Sequence, residues 1–356
     1  MLVLLLVLVL ILIFGSVYYT RLQTIHTMEK MTDYQDGYNL YRMDVLYDYD
    51  LQHVIDYGIE DTESMLRAIL KESLPFLPVH MELPSFSCSA FMLTGIDGEV
   101  RMGRNYDFKN DTSAMMIHCK PKNGYESIAF AALNNVGADA ADASIKTKLM
   151  TLAAPFICLD GLNEKGVSVA VLTLDSDPTF QDTGKEKIAV SIAIRMILDQ
   201  AASTEDAVKL LEKYDMVAIG GRDYHLYITD ASGDGRVVEY DCESEGRELK
   251  ATPTEAVTNF YILYKDKVLP YQKNGIYGHG RERYCIIEKI LEEDRGHYTN
   301  ETAWEALRAA SQDPNPEDVT SNTQWSIVYN NTAKTAEIAI RRNWKDITEF
   351  SVGAEE

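Results

Sequence analysis

The sequence of 356 residues predicts an α+β fold in which two layers of β-sheet are covered by helices. Two observations support this class: apolar, β-rich segments alternate with turn residues, and helical segments occur in pairs. The apolar and charged fractions, 46% and 25%, are those of a globular protein with enough material for a large core. We find no internal repeat.

The first predicted strands form a hairpin around Asp97-Gly98. Asp-Gly between two apolar runs favours a tight hairpin because that turn requires positive φ. Two more hairpins are predicted around 230–235 and 330–332. The predicted strands are 89–94, 100–106, 167–175, 224–229, 236–240, 256–263, 324–329 and 336–341.

Helices are predicted where apolar residues recur at helical spacing after a capping residue. Ser203 and Asn300 are two such caps, and Asp61 or Thr62 caps an earlier helix. The other predicted helices are 188–202, 204–214, 281–293 and 301–311.

Residues 1–19 contain no charged side chain, and 2–14 are almost entirely Leu, Val and Ile. Such a stretch approaches the length of a membrane span, with Tyr18 and Tyr19 placed as interfacial anchors. We predict a signal anchor. A cleaved signal peptide is the alternative, although a positive first region is missing and 15–17 is a poor cleavage site. The bulk of the chain is then expected outside the cytoplasm, membrane-anchored or secreted.

Residues 20–87 are acidic, rich in tyrosine and helical in pattern. Leu-Pro pairs at 74–75, 77–78 and 83–84 end any helix there. The predicted organisation is therefore an anchor or signal at 1–19, a helical segment at 20–87 and a main domain at 88–356.

The formal charge of −21 and a pI near 4.7 argue against nucleic acid as a partner. The five cysteines show no Cys-x-x-Cys spacing, so neither a disulfide framework nor a zinc site is indicated. We expect no metal and no organic cofactor. Four of the cysteines are assigned to packing: Cys119, Cys158, Cys242 and Cys285.

Cys88 differs from the other four because the predicted hairpin brings it close to Arg104 and Asp107. A cationic neighbour lowers the pKa of a thiol and favours the nucleophilic thiolate. On chemistry alone, a buried cysteine beside an ordinary ion pair is the commoner arrangement.

Several strings occur in an order that resembles a known family. They are Cys88-Ser89-x-Phe91, Gly-Arg-Asn-Tyr-Asp-Phe at 103–108, Asp-Gly-Leu-Asn-Glu-Lys-Gly-Val at 160–167, Thr258-Asn259-Phe260, Arg283-Tyr284 and Thr-Gln-Trp-Ser-Ile-Val-Tyr-Asn at 323–330. From residue 88 onward the chain resembles the linear amide C–N hydrolases, the choloylglycine hydrolase and penicillin V acylase group of N-terminal-nucleophile hydrolases. Acid ceramidase-like proteins and acyltransferases are relatives of that group. The resemblance implies a four-layer αββα sandwich.

The resemblance also implies roles for individual residues. Cys88 is the nucleophile, and it becomes a new N-terminus when the Ser87–Cys88 bond is cut. Its freed α-amine acts as general base, since such an amine has a pKa of about 8. Arg104 lies beside the thiol, and Asp107 holds the amine and thiol in register. Asn259 donates to the oxyanion, and Arg283 is a second arginine of the site.

One position departs from the family pattern. Thr173 stands where bile-salt and penicillin enzymes have asparagine or tyrosine, so bile-salt specificity is not expected. A Thr173 hydroxyl could donate to the oxyanion, or backbone N–H groups could do so instead.

The implied reaction is hydrolysis of a small acylated amine or acylated amino acid through a thioester. Two alternatives stay open: an acyltransferase that uses the same thioester, and an uncleaved binding protein with the same fold. Segment 20–87 would be a retained small subunit or a discarded propeptide. The acyl chain and the oligomeric state, a homo-oligomer included, are also open.

Overall fold

The computed structural model describes residues 2–76, 87–138, 140, 144–266, 279–315, 317–318 and 321–353, without the side chains of 2–11, 13, 14 and 87. The helices are α1 Leu2–His26, α2 Leu51–Asp56, α3 Thr62–Ser73, α4 Ile145–Met150, α5 Val190–Gln200, α6 Thr204–Leu211, α7 Gly280–Glu293 and α8 Asn300–Ala310. The strands are β1 Glu29–Lys30, β2 Leu40–Val45, β3 Ser87–Thr94, β4 Val100–Asp107, β5 Ala114–Cys119, β6 Ser127–Ala132, β7 Asp160–Asn163, β8 Ser168–Leu174, β9 Lys187–Ala189, β10 Asp215–Val217, β11 Asp223–Thr229, β12 Gly235–Tyr240, β13 Leu249–Pro253, β14 Ala256–Val257, β15 Thr323–Asn330, β16 Thr335–Ile340 and β17 Ile347–Ser351.

Two large sheets form the centre of the fold. One has nine strands in the order β1-β2-β5-β6-β7-β8-β11-β12-β13, and the other has six in the order β14-β3-β4-β15-β16-β17. The α+β prediction with several sheets is confirmed. Helices α5 and α6 pack on the nine-stranded sheet, α7 and α8 pack on the six-stranded sheet, and β3 contacts β8 between the sheets.

The hairpin predicted at Asp97-Gly98 is confirmed. Strands β3 and β4 pair antiparallel, with Cys88 opposite Tyr106 and Ala90 opposite Arg104. Gly98 has a φ of 78°, which a residue without a Cβ adopts at little cost. Cys88 therefore lies at the start of one strand beside the end of its neighbour, as the sequence predicted.

Segment 20–87 is not helical throughout. Strand β2 pairs parallel with β5 and so belongs to the nine-stranded sheet. Its residues alternate, with Met43 and Val45 buried while Arg42 and Asp44 are half-exposed. This period of two is the signal of a half-buried strand, and the acidic, helix-like surroundings concealed it.

The strand predicted at 256–263 was also wrong in length, because β14 ends at Val257. The chain then turns through an irregular stretch into a short 3₁₀ helix at Ile262–Tyr264. The apolar run there is buried, with Phe260 and Tyr261 each 2% exposed, but burial alone does not distinguish a strand from a folded loop.

The N-terminal helix α1 continues beyond residue 19 and packs on the domain. The Tyr18 hydroxyl donates to the Pro75 carbonyl at 2.6 Å, and Arg21 Nε donates to the Ser73 carbonyl at 2.8 Å. Within the described part of the chain, no helix is both long and apolar enough to cross a bilayer. The anchor or signal predicted at 1–19 is therefore not supported, although most side chains of 1–14 lie outside the described residues.

His118 joins β2 to the rest of the sheet. Its imidazole lies between two carboxylates, 3.0 Å from Asp44 Oδ1 and 2.9 Å from Glu126 Oε1. Lys120 contacts Glu126 at 3.0 Å, and Arg42 contacts Asp44 at 3.4 Å. The hydrogen bond to Asp44 raises the pKa of His118 above its ordinary 6.5, against the effect of burial.

We expect His118→Gln to lower the free energy of unfolding by about 1 kcal/mol or less, most strongly at mildly acidic pH. A raised folded-state pKa stabilises the fold fully below the ordinary 6.5, and this stabilisation is lost as pH rises through the folded value. The pKa of Asp44 is lowered below 3.8 by His118, so its contribution is lost only in stronger acid. Urea unfolding at about pH 5.5 and about pH 8.5 measures the difference. The exposed His53→Gln is the control, and an equal loss at both pH values would contradict the prediction.

Candidate active site

Cys88 is fully buried near the N-terminal end of β3. A peptide bond joins it to Ser87 within the same strand. Its N–H donates to Asn259 Oδ1 at 3.0 Å. Burial raises the pKa of the thiol to about 11, while the charge of Arg104 opposes that rise and the charge of Asp107 adds to it. At neutral pH the thiol is therefore protonated, and a nucleophilic role requires a base close to it.

Arg104 is held beside Cys88 by a buried carboxylate. Its Nε donates to Asp160 Oδ2 at 2.9 Å, and both side chains are 0% exposed. The other oxygen of Asp160 accepts from the Tyr329 hydroxyl at 2.5 Å, and the Trp325 indole N–H approaches Oδ2 at 3.4 Å. Within the described residues, Nη2 of Arg104 has no hydrogen-bond partner. Asp160 thus fixes the Nε edge of the guanidinium, while the Nη2 group remains available as a donor.

The Asp107 carboxylate accepts hydrogen bonds from three side chains at the end of β4, close to Cys88 at the start of β3. The Thr323 hydroxyl donates to Oδ1 at 2.6 Å, while Arg283 Nη1 and Gln312 Nε2 each donate to Oδ2 at 3.1 Å. The backbone of Asp107 also lowers the pKa of Cys88 by hydrogen bonding. These three donors hold the Asp107 side chain in place at the end of β4.

Asn259 connects these groups. Its Oδ1 accepts from the Cys88 N–H and, at 2.5 Å, from Arg283 Nη2. Its Nδ2 donates to the Thr173 carbonyl at 2.8 Å. Residues from β3, β4, α7 and the segment after β14 therefore meet at one point, which the sequence predicted from separate motifs.

Thr173 lies next to Asn259, but through its backbone. The carbonyl oxygen accepts from Asn259, whereas the hydroxyl has no hydrogen-bond partner in the part of the chain that the structure describes. The structure thus brings Thr173 to the site without giving its hydroxyl a role there.

Two residues of the site are not among the site residues predicted from the sequence. Asp160 is the buried partner of Arg104. Trp325 is buried in the core beside that pair, and its ring stacks on that of Tyr106 with the ring centroids 4.2 Å apart. A polar residue at the start of the 160–167 string was the available signal. Asn163 of that string stabilises a turn, because its Oδ1 accepts from the N–H groups of Lys165 and Val167.

Among the described residues, no three His, Cys, Asp or Glu side chains lie together in a way that could hold a metal ion. The chemistry available is that of a thiol, two guanidinium groups, two carboxylates and an amide. This set suits nucleophilic attack on a carbonyl carbon followed by stabilisation of an oxyanion.

The sequence model of the linear amide C–N hydrolases, choloylglycine hydrolase family, matches residues 88–246. The predicted family resemblance is confirmed. The matched family comprises hydrolases of C–N bonds in linear amides, in agreement with the predicted enzyme class. A penicillin V acylase from Pectobacterium atrosepticum is 35% identical over 92 residues, which are 23% of this chain. The match spans about a quarter (24%) of the length of that relative.

Solved structures of a conjugated bile acid hydrolase and a penicillin V acylase share the fold. Two variants of conjugated bile acid hydrolase from Clostridium perfringens superpose with TM-scores of 0.56 and 0.57, at 16% and 15% identity. The alignments cover 74% and 76% of this chain and 92% and 93% of the bile acid hydrolase. Penicillin V acylase from Agrobacterium tumefaciens gives 0.54 at 17% identity, covering 74% of this chain and 86% of the acylase.

Proposed function

We propose that this protein is a cysteine-nucleophile hydrolase that cleaves the linear amide bond of a small acylated amine or acylated amino acid. One observation carries the proposal: the Cys88 backbone nitrogen, Asn259, Arg283 and Asp107 form a continuous hydrogen-bonded chain beside a thiol whose other neighbour is Arg104. The matched family and the shared fold support it. The contacts of α5 and α6 with one sheet and α7 and α8 with the other support a four-layer αββα arrangement.

The proposed reaction needs the nitrogen of Cys88 as a free amine. A cut between Ser87 and Cys88 converts a peptide N–H, which cannot accept a proton, into an amine with a pKa of about 8. This amine takes the thiol proton as sulfur attacks the amide carbonyl, and Arg104 stabilises the developing thiolate. Because the pKa of the buried thiol is raised to about 11, the amine is the base that makes attack feasible near neutral pH.

Attack by the thiol is followed by two steps, collapse of the tetrahedral intermediate and hydrolysis of the thioester. The tetrahedral intermediate carries its negative charge on the former carbonyl oxygen, and Asn259 Nδ2 is the proposed donor to it. Its collapse breaks the C–N bond, the Cys88 ammonium gives its proton to the leaving amine, and a thioester remains. Water, deprotonated by the same α-amine, then hydrolyses the thioester to a carboxylate and the thiol.

We propose that the segment before Cys88 stays with the main domain as a small subunit after the cut. Strand β2 pairs parallel with β5 along residues 40–45, and the hydrophobic core contains Leu40, Met43 and Val54. Loss of this segment would leave β5 as an unpaired edge of the large sheet. It would also expose to water the apolar surfaces of the main domain that Leu40, Met43 and Val54 cover, which is unfavourable. A discarded propeptide would be expected to make fewer such contacts.

The proposed function is tested by trapping the thioester. Purified protein is mixed with an N-acyl amino acid panel and quenched in acid, and the mass of the fragment that starts at Cys88 is measured. The expected adduct has the mass of the acyl group without the amine, and it disappears as free carboxylic acid accumulates. An adduct that decays only when a second amine is added indicates an acyltransferase. If no substrate gives an adduct and the chain stays uncut, the protein is a binding protein with this fold.

A further inference from the structure

A buried histidine and glutamate lie beneath the segment that carries Asn259. His225 is on β11 and Glu239 is on the neighbouring strand β12, and both side chains are 0% exposed. His225 Nδ1 is 3.0 Å from Glu239 Oε1. Neither residue belongs to the strings that point to the family, and neither contacts the thiol in the hydrogen bonds described above.

The pair holds the backbone on both sides of Asn259. His225 Nε2 is 2.8 Å from the carbonyl oxygen of Thr258, the residue directly before Asn259. Beyond Asn259, the N–H of Ile262 donates to Glu239 Oε1 at 2.7 Å, and the N–H of Leu263 donates to Oε2 at 2.9 Å. Three hydrogen bonds from the His225–Glu239 pair thus hold the irregular stretch between β14 and the 3₁₀ helix.

The hydrogen-bond partners determine where the protons are. A carbonyl oxygen only accepts, so His225 Nε2 carries a proton and donates it to Thr258. The other ring nitrogen, Nδ1, faces Glu239 Oε1. Both oxygens of Glu239 accept backbone N–H groups, so the carboxylate is satisfied although it is buried. A buried polar pair satisfied in this way is rigid, whereas removal of one partner leaves costly unpaired groups.

We propose that His225 and Glu239 are positioning residues that set the place of the Asn259 amide relative to Cys88 during acylation. The inference rests on the proposed function, because it concerns the donor to the oxyanion. Among the described residues no strand pairing extends beyond Val257, so the backbone around Asn259 is held by hydrogen bonds such as these, together with the one from the Thr258 hydroxyl to the Gly280 carbonyl. An oxyanion donor is effective only within hydrogen-bond distance of the developing charge, and a displacement of about 1 Å costs up to about 100-fold in rate.

The test compares two reactions of the same thiol. Iodoacetamide alkylates sulfur without forming an oxyanion, whereas p-nitrophenyl acetate acylates it through a tetrahedral oxyanion. Both adducts at Cys88 are followed by peptide mass spectrometry in wild type, Glu239→Gln and His225→Gln. Glu239→Gln keeps the shape of the side chain but replaces one of its two acceptor oxygens with an amide N–H₂. That group faces the backbone N–H of Ile262 or Leu263, which then loses its acceptor. The folded fraction of each variant is measured by urea unfolding, and rates are compared only under conditions in which the variant is folded, because iodoacetamide also alkylates the exposed thiol of an unfolded chain.

We expect acylation to fall about 10- to 100-fold in both variants while alkylation changes less than about twofold. His118→Gln is the matched control, because it makes the same change at an imidazole between two acceptors elsewhere, and it should leave both rates unchanged. Equal acylation in the variants and wild type would overturn the inference, as would a parallel fall of both rates. Wild type that is alkylated at Cys88 but never acylated would overturn the proposed function, and this inference with it.

Discussion

Cys88→Ala is expected to abolish both the cut before residue 88 and all amide hydrolysis. The Cys88 thiol is the proposed nucleophile in both reactions, and alanine has no atom that can attack a carbonyl carbon or carry the acyl group. Intact-mass measurement of wild type should show two fragments with a new N-terminus at Cys88, and the variant should keep its full length. The two wild-type fragments should elute together in gel filtration, because β2 is part of the large sheet.

The control for this experiment is Cys285→Ala. Cys285 is exposed, and it should be dispensable for the cut and for turnover. A wild-type chain that stays uncut and is not labelled by a thiol probe at Cys88 would contradict the hydrolase proposal. Cleavage of Cys88→Ala at the same bond would show that another protease makes the cut. The predicted loss of amide hydrolysis would then be tested separately, by measuring the activity of the cleaved variant.

Arg104→Met is expected to lower the free energy of unfolding by about 3–5 kcal/mol. The variant keeps an unbranched side chain of similar length but leaves Asp160 as a buried carboxylate without its ion pair. Loss of the positive charge also raises the pKa of Cys88 further, since the charge of Arg104 is the largest effect that opposes burial. Urea unfolding measures the first effect. The pH dependence of Cys88 alkylation measures the second, which should shift to higher pH.

A double substitution separates the ion pair from the packing. Arg104→Met combined with Asp160→Asn removes both charges, so it should recover most of the stability that Arg104→Met alone loses. Arg308→Met is the matched control because its pair with Glu301 is at the surface, where it should cost less than about 1 kcal/mol. An Arg104→Met protein as stable as this control would show that the buried pair contributes little.

The sequence predicted the parts of the site that lie close together along the chain. The spacing of Cys88, Arg104 and Asp107 around one Asp-Gly turn requires that they meet once the two strands pair, because the turn fixes the register. Asn259 and Arg283 could be added only through the family resemblance, since nothing local connects them to the hairpin.

The residues that sequence reasoning missed act over long distances. Asp160 stands in a sequence that is typical of a turn. Its role as the partner of Arg104 appears only in the fold, where β7 faces β4 across the two sheets. His225 and Glu239 lack any motif, because one side chain contacts the other on a neighbouring strand and both contact a backbone rather than a recognisable group. Strand β2 was hidden among helical neighbours, although its alternation was present in the sequence.

The sequence by itself determined the fold class, the hairpin that carries the thiol and the order of the site's motifs, because these depend on local periodicity and turn geometry. Only the tertiary structure decided that the segment before Cys88 contributes a strand to the large sheet, that Asp160 is the partner of Arg104 and that His225 and Glu239 contact the backbone on both sides of Asn259. The physical reason is that a buried charge or amide takes whatever partner the fold brings within about 3 Å, and this partner has no fixed distance along the chain.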